Sequence, residues 1–327
     1  MITPDLIPAA MIAAAIAPAL ILLWLAVAAD SRPEPARLVL VAVLLGAASA
    51  AVAGILEVAL ELALPAPKAV LPAAIEKAVL FAAIPEEIVK VALIAAIALR
   101  SREFDEPMDG VVYGTSVGLG FAMLENLLYV LGDSNWPAVA AMRGMLSVPL
   151  HGACGAIAGA YVARARFSGI LGSGRGTRWR RPRLFALALL VPIALHGMFD
   201  TGLFVLKLAP SGTDNGAELV LAVLFSVVVA IATITIAVVL AVRIADRQEK
   251  WVKTRRLPAG HWRDVWAECL IGLGLGFVGV AVVVAGAAIA KAAGFLLMLA
   301  AAGLAWRCAR RLNQMAASRR HHALAVP

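Results

Sequence analysis

A chain of 327 residues that is 62% hydrophobic and only 15% charged, with a mean hydropathy of +0.90, has no room for a large soluble domain and falls in the polytopic helical membrane class. The net charge of +8 does not signal nucleic-acid binding, because Lys and Arg cluster in short connections between apolar runs and no recognition motif accompanies them. Composition therefore points away from nucleic acid and toward a lipid bilayer as the surroundings.

Runs of about 20 apolar residues, each enough to cross a hydrocarbon core of about 30 Å, fall at 6–29, 38–60, 78–99, 109–131, 137–163, 184–206, 218–242, 269–289 and 292–306. They predict an all-α fold: a polytopic transmembrane helical bundle of about nine spans. It divides into N-terminal transmembrane helices (1–77), a four-helix core (78–206), and C-terminal helices with a basic tail (207–327). The opening Met1-Ile2-Thr3-Pro4-Asp5 lacks Lys and Arg, so the first run reads as a retained helix rather than a signal peptide.

Basic residues crowd alternate connections. Seven arginines lie between Arg164 and Arg183, and seven Lys or Arg between Arg243 and Arg263. Arg32, Arg37, Arg100, Arg102 and the tail from Arg307 to Arg320 fall on the same side if the spans number nine, whereas 132–136 and 209–216 carry none. The positive-inside rule then puts the N-terminus outside and the C-terminus in the cytoplasm, as expected for a multi-pass protein of a bacterial inner membrane. Cys154, Cys269 and Cys308 have neither metal nor redox spacing and read as small core residues, and the His321-His322 pair reads as a disordered tail.

Polar chemistry is concentrated in the third to sixth spans. The third carries Glu86, Glu87 and Lys90 behind Pro85; an ionisable group near the bilayer centre costs roughly 2.5 to 3.5 kcal/mol, so these acids need a partner or a wet cavity. Lys90 follows them at i+4 and i+3, on the same helix flank. The fourth carries Asp109-Gly110, Tyr113-Gly114 and Gly120-Phe121-Ala122-Met123-Leu124-Glu125-Asn126, with Gly110, Gly114 and Gly118 in a stripe that lets a neighbouring helix approach. The fifth has Arg143, Pro149 and His151; the sixth has Pro192, His196 and Asp200, the last two one turn apart. Taken singly, Tyr113 and Arg143 read as interfacial or snorkelling residues.

Glu87, His151 and His196 each lie thirteen residues from a basic boundary, at Arg100, Arg164 and Arg183 respectively. That is about 20 Å of helix in each case, which levels a carboxylate and two imidazoles in the outer half of the bilayer. Glu125 and Asp200 come out slightly further on. Prolines just before Glu86, His151 and His196 predict kinked helices around a cavity.

The ordered set Glu86-Glu87-x-x-Lys90, Asp109-Gly-x-x-Tyr-Gly, Gly-Phe-Ala-x-x-Glu125-Asn126, Pro149-x-His151 and His196-x-x-x-Asp200 resembles the PrsW family of intramembrane proteases, itself similar to the CAAX-protease and bacteriocin-processing superfamily. The prenyl-protein branch of that superfamily usually closes its first motif with Arg one residue later, which sets this chain apart from it. The resemblance covers roughly 78–206 and implies regulated peptide-bond hydrolysis, with a membrane-embedded protein substrate such as an anti-sigma factor. In one version Glu86 or Glu87 is the general base beside His151, with His196, held by Asp200, and Asn126 at the oxyanion or leaving group; Lys90, Glu125 and Arg143 support them. In another, His151, His196 and a carboxylate, Glu125 or one of the pair, bind zinc. Two other classes use similar residues: an ion-coupled transporter with midplane acids and broken helices, and a non-catalytic scaffold like the membrane subunit of gamma-secretase.

Overall fold

The computed structural model describes residues 7–30, 32–64, 67–167, 180–209 and 216–252, and every regular element among them is a helix. In order these are α1 (Ile7–Ala28), α2 (Ala36–Ala63), α3 (Val70–Ile75), a π-helical segment (Glu76–Ala83), α4 (Ile84–Arg100), α5 (Pro107–Gly132), α6 (Trp136–Met145), α7 (Ser147–Arg166), α8 (Arg180–Leu208) and α9 (Gly216–Val252). Six helical stretches among the described residues are long and apolar enough to cross a membrane: Ile7–Ala28, Ala36–Ala63, Pro107–Gly132, Trp136–Arg166, Arg181–Leu208 and Gly216–Gln248. The third expected span lies on the composite run from Val70 to Arg100, whose regular parts are 6 and 17 residues long with 8 π-helical residues between. The eighth and ninth expected spans, Cys269, Cys308 and the His321-His322 pair lie outside the described residues.

Helices α5 and α7 form the centre. Every residue of α5 from Pro107 to Ala122 is buried, as is every residue of α7 except Tyr161, Arg164 and Arg166. Their sequences explain the contact. A Cβ at Gly114 would overlap the backbone carbonyl of Gly155, one at Gly110 the carbonyl of Gly159, and one at Gly118 the carbonyl of His151. Only glycine permits two backbones this close, and the apposition brings the middle of α5 against the His151 turn of α7. Helix α2 docks on another flank of α5 by the same means, with Gly46 against the Val117 carbonyl and Gly120 against that of Val43.

The remaining helices surround this pair. Of the most apolar stretch of Trp136–Arg166, 89% is buried, against 11% for that of α1, so α7 is an inner helix and α1 an outer one. Leu40, Leu44, Ile55 and Leu62 of α2 and Leu221 and Val228 of α9 are exposed large apolar residues, the surface a lipid-facing helix presents. Helix α9 continues ten residues beyond the expected end at 242, so Arg243 and Arg247 are helical rather than in a connection.

Prolines set the irregularities. Pro85 cannot donate to the carbonyl of Phe81, and its ring crowds that turn; the chain responds by π winding before it, where the Ile84 N–H bonds the Val79 carbonyl five residues back. Pro149 cannot donate to Met145, and the helix is interrupted at Leu146, between α6 and α7. Pro192 lies inside α8, four residues before His196.

Candidate active site

Side chains from α4, α5 and α7 converge on Lys90, which is fully buried, and α6 and α8 extend the network around it. Its ammonium donates to Glu86 Oε2 at 3.0 Å and to Glu87 Oε1 at 2.9 Å, and lies 3.0 Å from His151 Nδ1. Three protons thus meet three acceptors. The Phe121 ring lies under the ammonium, 3.7 Å from centroid to nitrogen, adding a cation–π contact. The helical spacing predicted from the sequence accounts for the two carboxylates, and the third contact comes from the packing of α4 against α7.

With Nδ1 of His151 accepting from an ammonium, its proton resides on Nε2, which faces Glu125 Oε2 at 2.7 Å. The same Glu125 oxygen is also paired with Arg143, at 2.9 Å. Arg143 also donates to Asn126 Oδ1 at 3.2 Å and to Ser147 Oγ at 3.1 Å, and it stacks on the Tyr129 ring 3.9 Å away. Asn126 spends its own amide protons on the Ala15 carbonyl, at 2.7 Å, which ties α1 to α5. Both ends of Asn126 are therefore engaged, and it stands behind Arg143 as an orienting group.

His196 is placed differently. Its Nδ1 is 3.0 Å from Glu87 Oε1 and its Nε2 is 3.1 Å from Asp200 Oδ2, so both ring nitrogens face carboxylates, the arrangement of a doubly protonated imidazole. The two imidazole centroids are 4.9 Å apart, edge to face. Glu86 Oε2 lies 3.9 Å from Nδ1 of each histidine.

The adjacent acids have distinct surroundings. Glu87 is completely buried, whereas the Glu86 side chain is 10% exposed and lines a cavity of about 380 Å³. Glu57, Glu125, Arg143, Asp200 and Ser147 also line it, and Phe199, Leu203 and Phe204 give it an apolar wall. Glu57 sits in the apolar run of α2; an acid in the predicted span 38–60 was the signal for it.

Glu86, Glu87, His151 and His196 each offer a ligand atom within 4.8 Å of the others, and Glu87 Oε2 is buried without a hydrogen-bond partner. Imidazole and carboxylate are the donor types of zinc sites, so the set fits a metal ion in its chemistry. The Lys90 ammonium already touches three of these four residues. Glu125 stands apart from the set, on the far nitrogen of His151, where a second-row carboxylate orients a ligand imidazole.

Two sequence readings shift on Tyr113 and Arg143. Tyr113 is 1% exposed and donates to Glu34 in the α1–α2 connection, so it is an inner residue rather than an interfacial one. Arg143 lies within the polar network rather than snorkelling to a boundary. Cys154 is buried with a free thiol, as its surroundings suggested. Ser147 and Glu57 had not been singled out, and Phe121 had entered only as part of the Gly-Phe-Ala motif; packing gives each its place in the site.

The model of the PrsW family of intramembrane metalloproteases matches residues 34–233, a stretch that contains every residue of this network except Ala15. Among curated proteins, the chain is 40% identical to a Protease PrsW of Geobacillus kaustophilus over 124 residues, 38% of this chain and 50% of that protein. It is 43% identical to a Protease PrsW of Bacillus subtilis over 97 residues, 30% of this chain and 40% of the relative. A Protease PrsW of Clostridioides difficile is 34% identical over 121 residues, 36% and 48% of the two chains. The matched stretch thus spans about half the length, or less, of these relatives. No solved structure matches the chain significantly.

Proposed function

The chain belongs to the PrsW family of intramembrane metalloproteases, and on that premise we propose that it is an intramembrane endopeptidase that cleaves a membrane-embedded protein. It is a multi-pass membrane protein with an intramembrane cluster of acids and histidines. One observation carries the reading: of the two adjacent acids, Glu86 alone faces the cavity, within 3.9 Å of both imidazoles.

Glu86 is the general base. It takes a proton from a water in the cavity as the water oxygen attacks the scissile carbonyl. Positive charge from Lys90, His196 and Arg143 stabilises the resulting oxyanion, in a site with little water to screen it. His196, clamped between Glu87 and Asp200, hands a proton to the departing amine when the C–N bond breaks, and the proton held by Glu86 restores it. Glu125 keeps His151 in one tautomer. A zinc ion, when bound, would be held by His151, His196 and Glu87 and would supply Lewis-acid polarisation of the carbonyl and a more acidic water, leaving Glu86 as the base. The apolar wall of Phe199, Leu203 and Phe204 suits an unwound segment of a substrate helix.

The depth of the cluster, about 20 Å from the basic boundary, supports cleavage in the outer half of a bacterial inner membrane, with the chain's N-terminus outside. A single-span anti-sigma factor, cut first at its outer side, is the substrate implied by the family resemblance. The test is cleavage of a tagged single-span substrate in liposomes by wild type, Glu86→Gln and His151→Ala, with mass mapping of the cut. Loss in both folded variants and a cut in the outer half are expected; cleavage unchanged in Glu86→Gln, or a cut near the basic side, overturns it.

A further inference from the structure

A second group of acids lies at the opposite, basic end of the bundle, where the α1–α2 and α4–α5 connections meet the start of α5. Asp30, Glu106 and Asp109 each place a carboxylate oxygen within 4.8 Å of the other two, and their residues are 1%, 1% and 0% exposed. Asp109 uses Oδ2 to accept from the backbone N–H groups of Asp105, at 2.8 Å, and Glu106, at 2.7 Å, capping α5. Its Oδ1 is buried and has no hydrogen-bond partner, and neither oxygen of Glu106 makes a hydrogen bond of ordinary geometry. Among the described residues, Glu106 is paired with Arg32, 3.4 Å away and 53% exposed.

Three buried carboxylate oxygens, one of Asp109 and two of Glu106, thus lack a hydrogen bond of ordinary geometry, and the Arg32 charge beside Glu106 is weakened by solvent. Orphaned buried carboxylates are costly, and native proteins resolve such a concentration with a partner, a proton or a metal ion. The α5 N-terminus contributes partial positive charge, but the Met108 N–H is spent on Gln248 Oε1 and that of Asp109 on the Glu106 carbonyl, while Asp109 Oδ2 takes the two N–H groups that precede the helix. Nearby side chains add acceptors: Glu34, which receives the Tyr113 hydroxyl, and Gln248 of α9, whose Oε1 accepts from the Met108 N–H at 2.8 Å. No Cys or His belongs to the group. An all-oxygen set of carboxylates is the donor chemistry of a hard divalent cation.

We propose that Asp30, Glu106 and Asp109 form a binding site for a divalent cation of the Ca²⁺ or Mg²⁺ class, distinct from the Glu86–His151–His196 centre. The ion joins the α1–α2 connection to the N-terminus of α5, the helix that carries Glu125. It is structural in position and takes no part in hydrolysis.

Equilibrium dialysis of the purified full chain in detergent, with Ca²⁺ and with Mg²⁺, tests the site, alongside thermal melting with and without each ion. One ion per chain is expected for at least one of the two, with a raised melting temperature; Asp109→Asn and Glu106→Gln weaken uptake by at least about ten-fold, whereas His151→Ala leaves it unchanged. Absence of saturable uptake in wild type, uptake retained in Asp109→Asn, or uptake lost in His151→Ala each overturns the proposal and leaves protons as the neutralising charge. Because wild type alone reports both uptake and melting shift, a variant that fails to fold does not decide the outcome.

Discussion

Glu125 Oε2 and His151 Nε2 are 2.7 Å apart, on the side of the imidazole away from Lys90. The carboxylate therefore acts on the centre through the ring. Glu125→Gln keeps an acceptor but removes the charge that secures the Nε2–H tautomer and holds Arg143. Proteolysis in liposomes should fall by about 10- to 100-fold, the usual consequence of losing an orienting partner. The protein should remain folded by its melting curve; activity equal to wild type would remove Glu125 from the positioning role.

The two adjacent acids should separate function from stability. Glu86→Gln, at the cavity, should lower turnover by about 10²- to 10⁴-fold with little change in melting temperature. Glu87→Gln, fully buried against Lys90 and His196, should destabilise by about 3–5 kcal/mol, because it takes a charge from a desolvated network. Denaturant unfolding of the two variants in one detergent compares them directly. Equal stability losses would refute the division.

Lys90 occupies the centre of the donor set that suits zinc. Lys90→Met should leave two carboxylates and the His151 imidazole without their shared cation, costing about 3–5 kcal/mol of stability. The same variant should take up added Zn²⁺ more tightly than wild type, since the ammonium no longer competes for the donors. Zinc competition against a chromophoric chelator measures this. Weaker uptake by Lys90→Met would mean that the lysine supports the metal rather than standing in for it.

Gly114→Val places a branched side chain into the Gly155 carbonyl, which is backbone and cannot swing aside. A loss of at least about 1–3 kcal/mol is expected from overpacking, with proteolysis reduced as α5 and α7 part and the Glu125–His151 contact lengthens. Gly54, with open space around its missing Cβ, is the control: Gly54→Ala should leave both readouts unchanged or slightly improved.

Burial raises Glu34 above the ordinary carboxylate range, with the Tyr113 hydrogen bond pulling less strongly the other way; burial likewise raises Glu106, against the opposing charge of Arg32. A carboxyl raised in the folded state binds its proton more tightly there than in the unfolded chain. Its contribution to stability is full below the unfolded value of about 4.3 and is lost as pH rises through that value to the folded one. In chelator, the melting temperature should therefore decline over that interval, and less steeply in Glu34→Gln. An equal slope in the two proteins would show that Glu34 is not the group responsible.

Much of the centre was legible in the sequence because membrane depth can be counted. Thirteen residues from each basic boundary levelled Glu87, His151 and His196, and in the structure Glu87 and His196 are in hydrogen-bond contact while the two imidazoles touch edge to face. The glycine stripe at Gly110, Gly114 and Gly118 foretold a close neighbour, and that neighbour is α7. Azimuth was not legible. Counting rise places Glu125 near His151 but not on its outer nitrogen, and it cannot recruit Phe121 or Glu57 from other helices. Asp30, Glu34 and Glu106 were invisible for another reason: acids beside Arg32 and Arg102 read as ordinary boundary charge until the fold buried them.

The π-helical stretch before Pro85 has a bearing on how this chain tolerates change in length. An α-helix advances about 100° per residue, so one residue gained or lost turns everything on one side of the change relative to the other by nearly a third of a circle. A π turn is where such a residue is absorbed. Shortening Glu76–Ala83 by a single position would let the run from Val70 to Arg100 relax into regular helix while both ends keep their faces, whereas the same deletion inside α4, between Glu87 and Lys90, meets no π turn to absorb it and swings the lysine away from the two acids. The segment is a tolerant joint, and the regular turn that follows it is not.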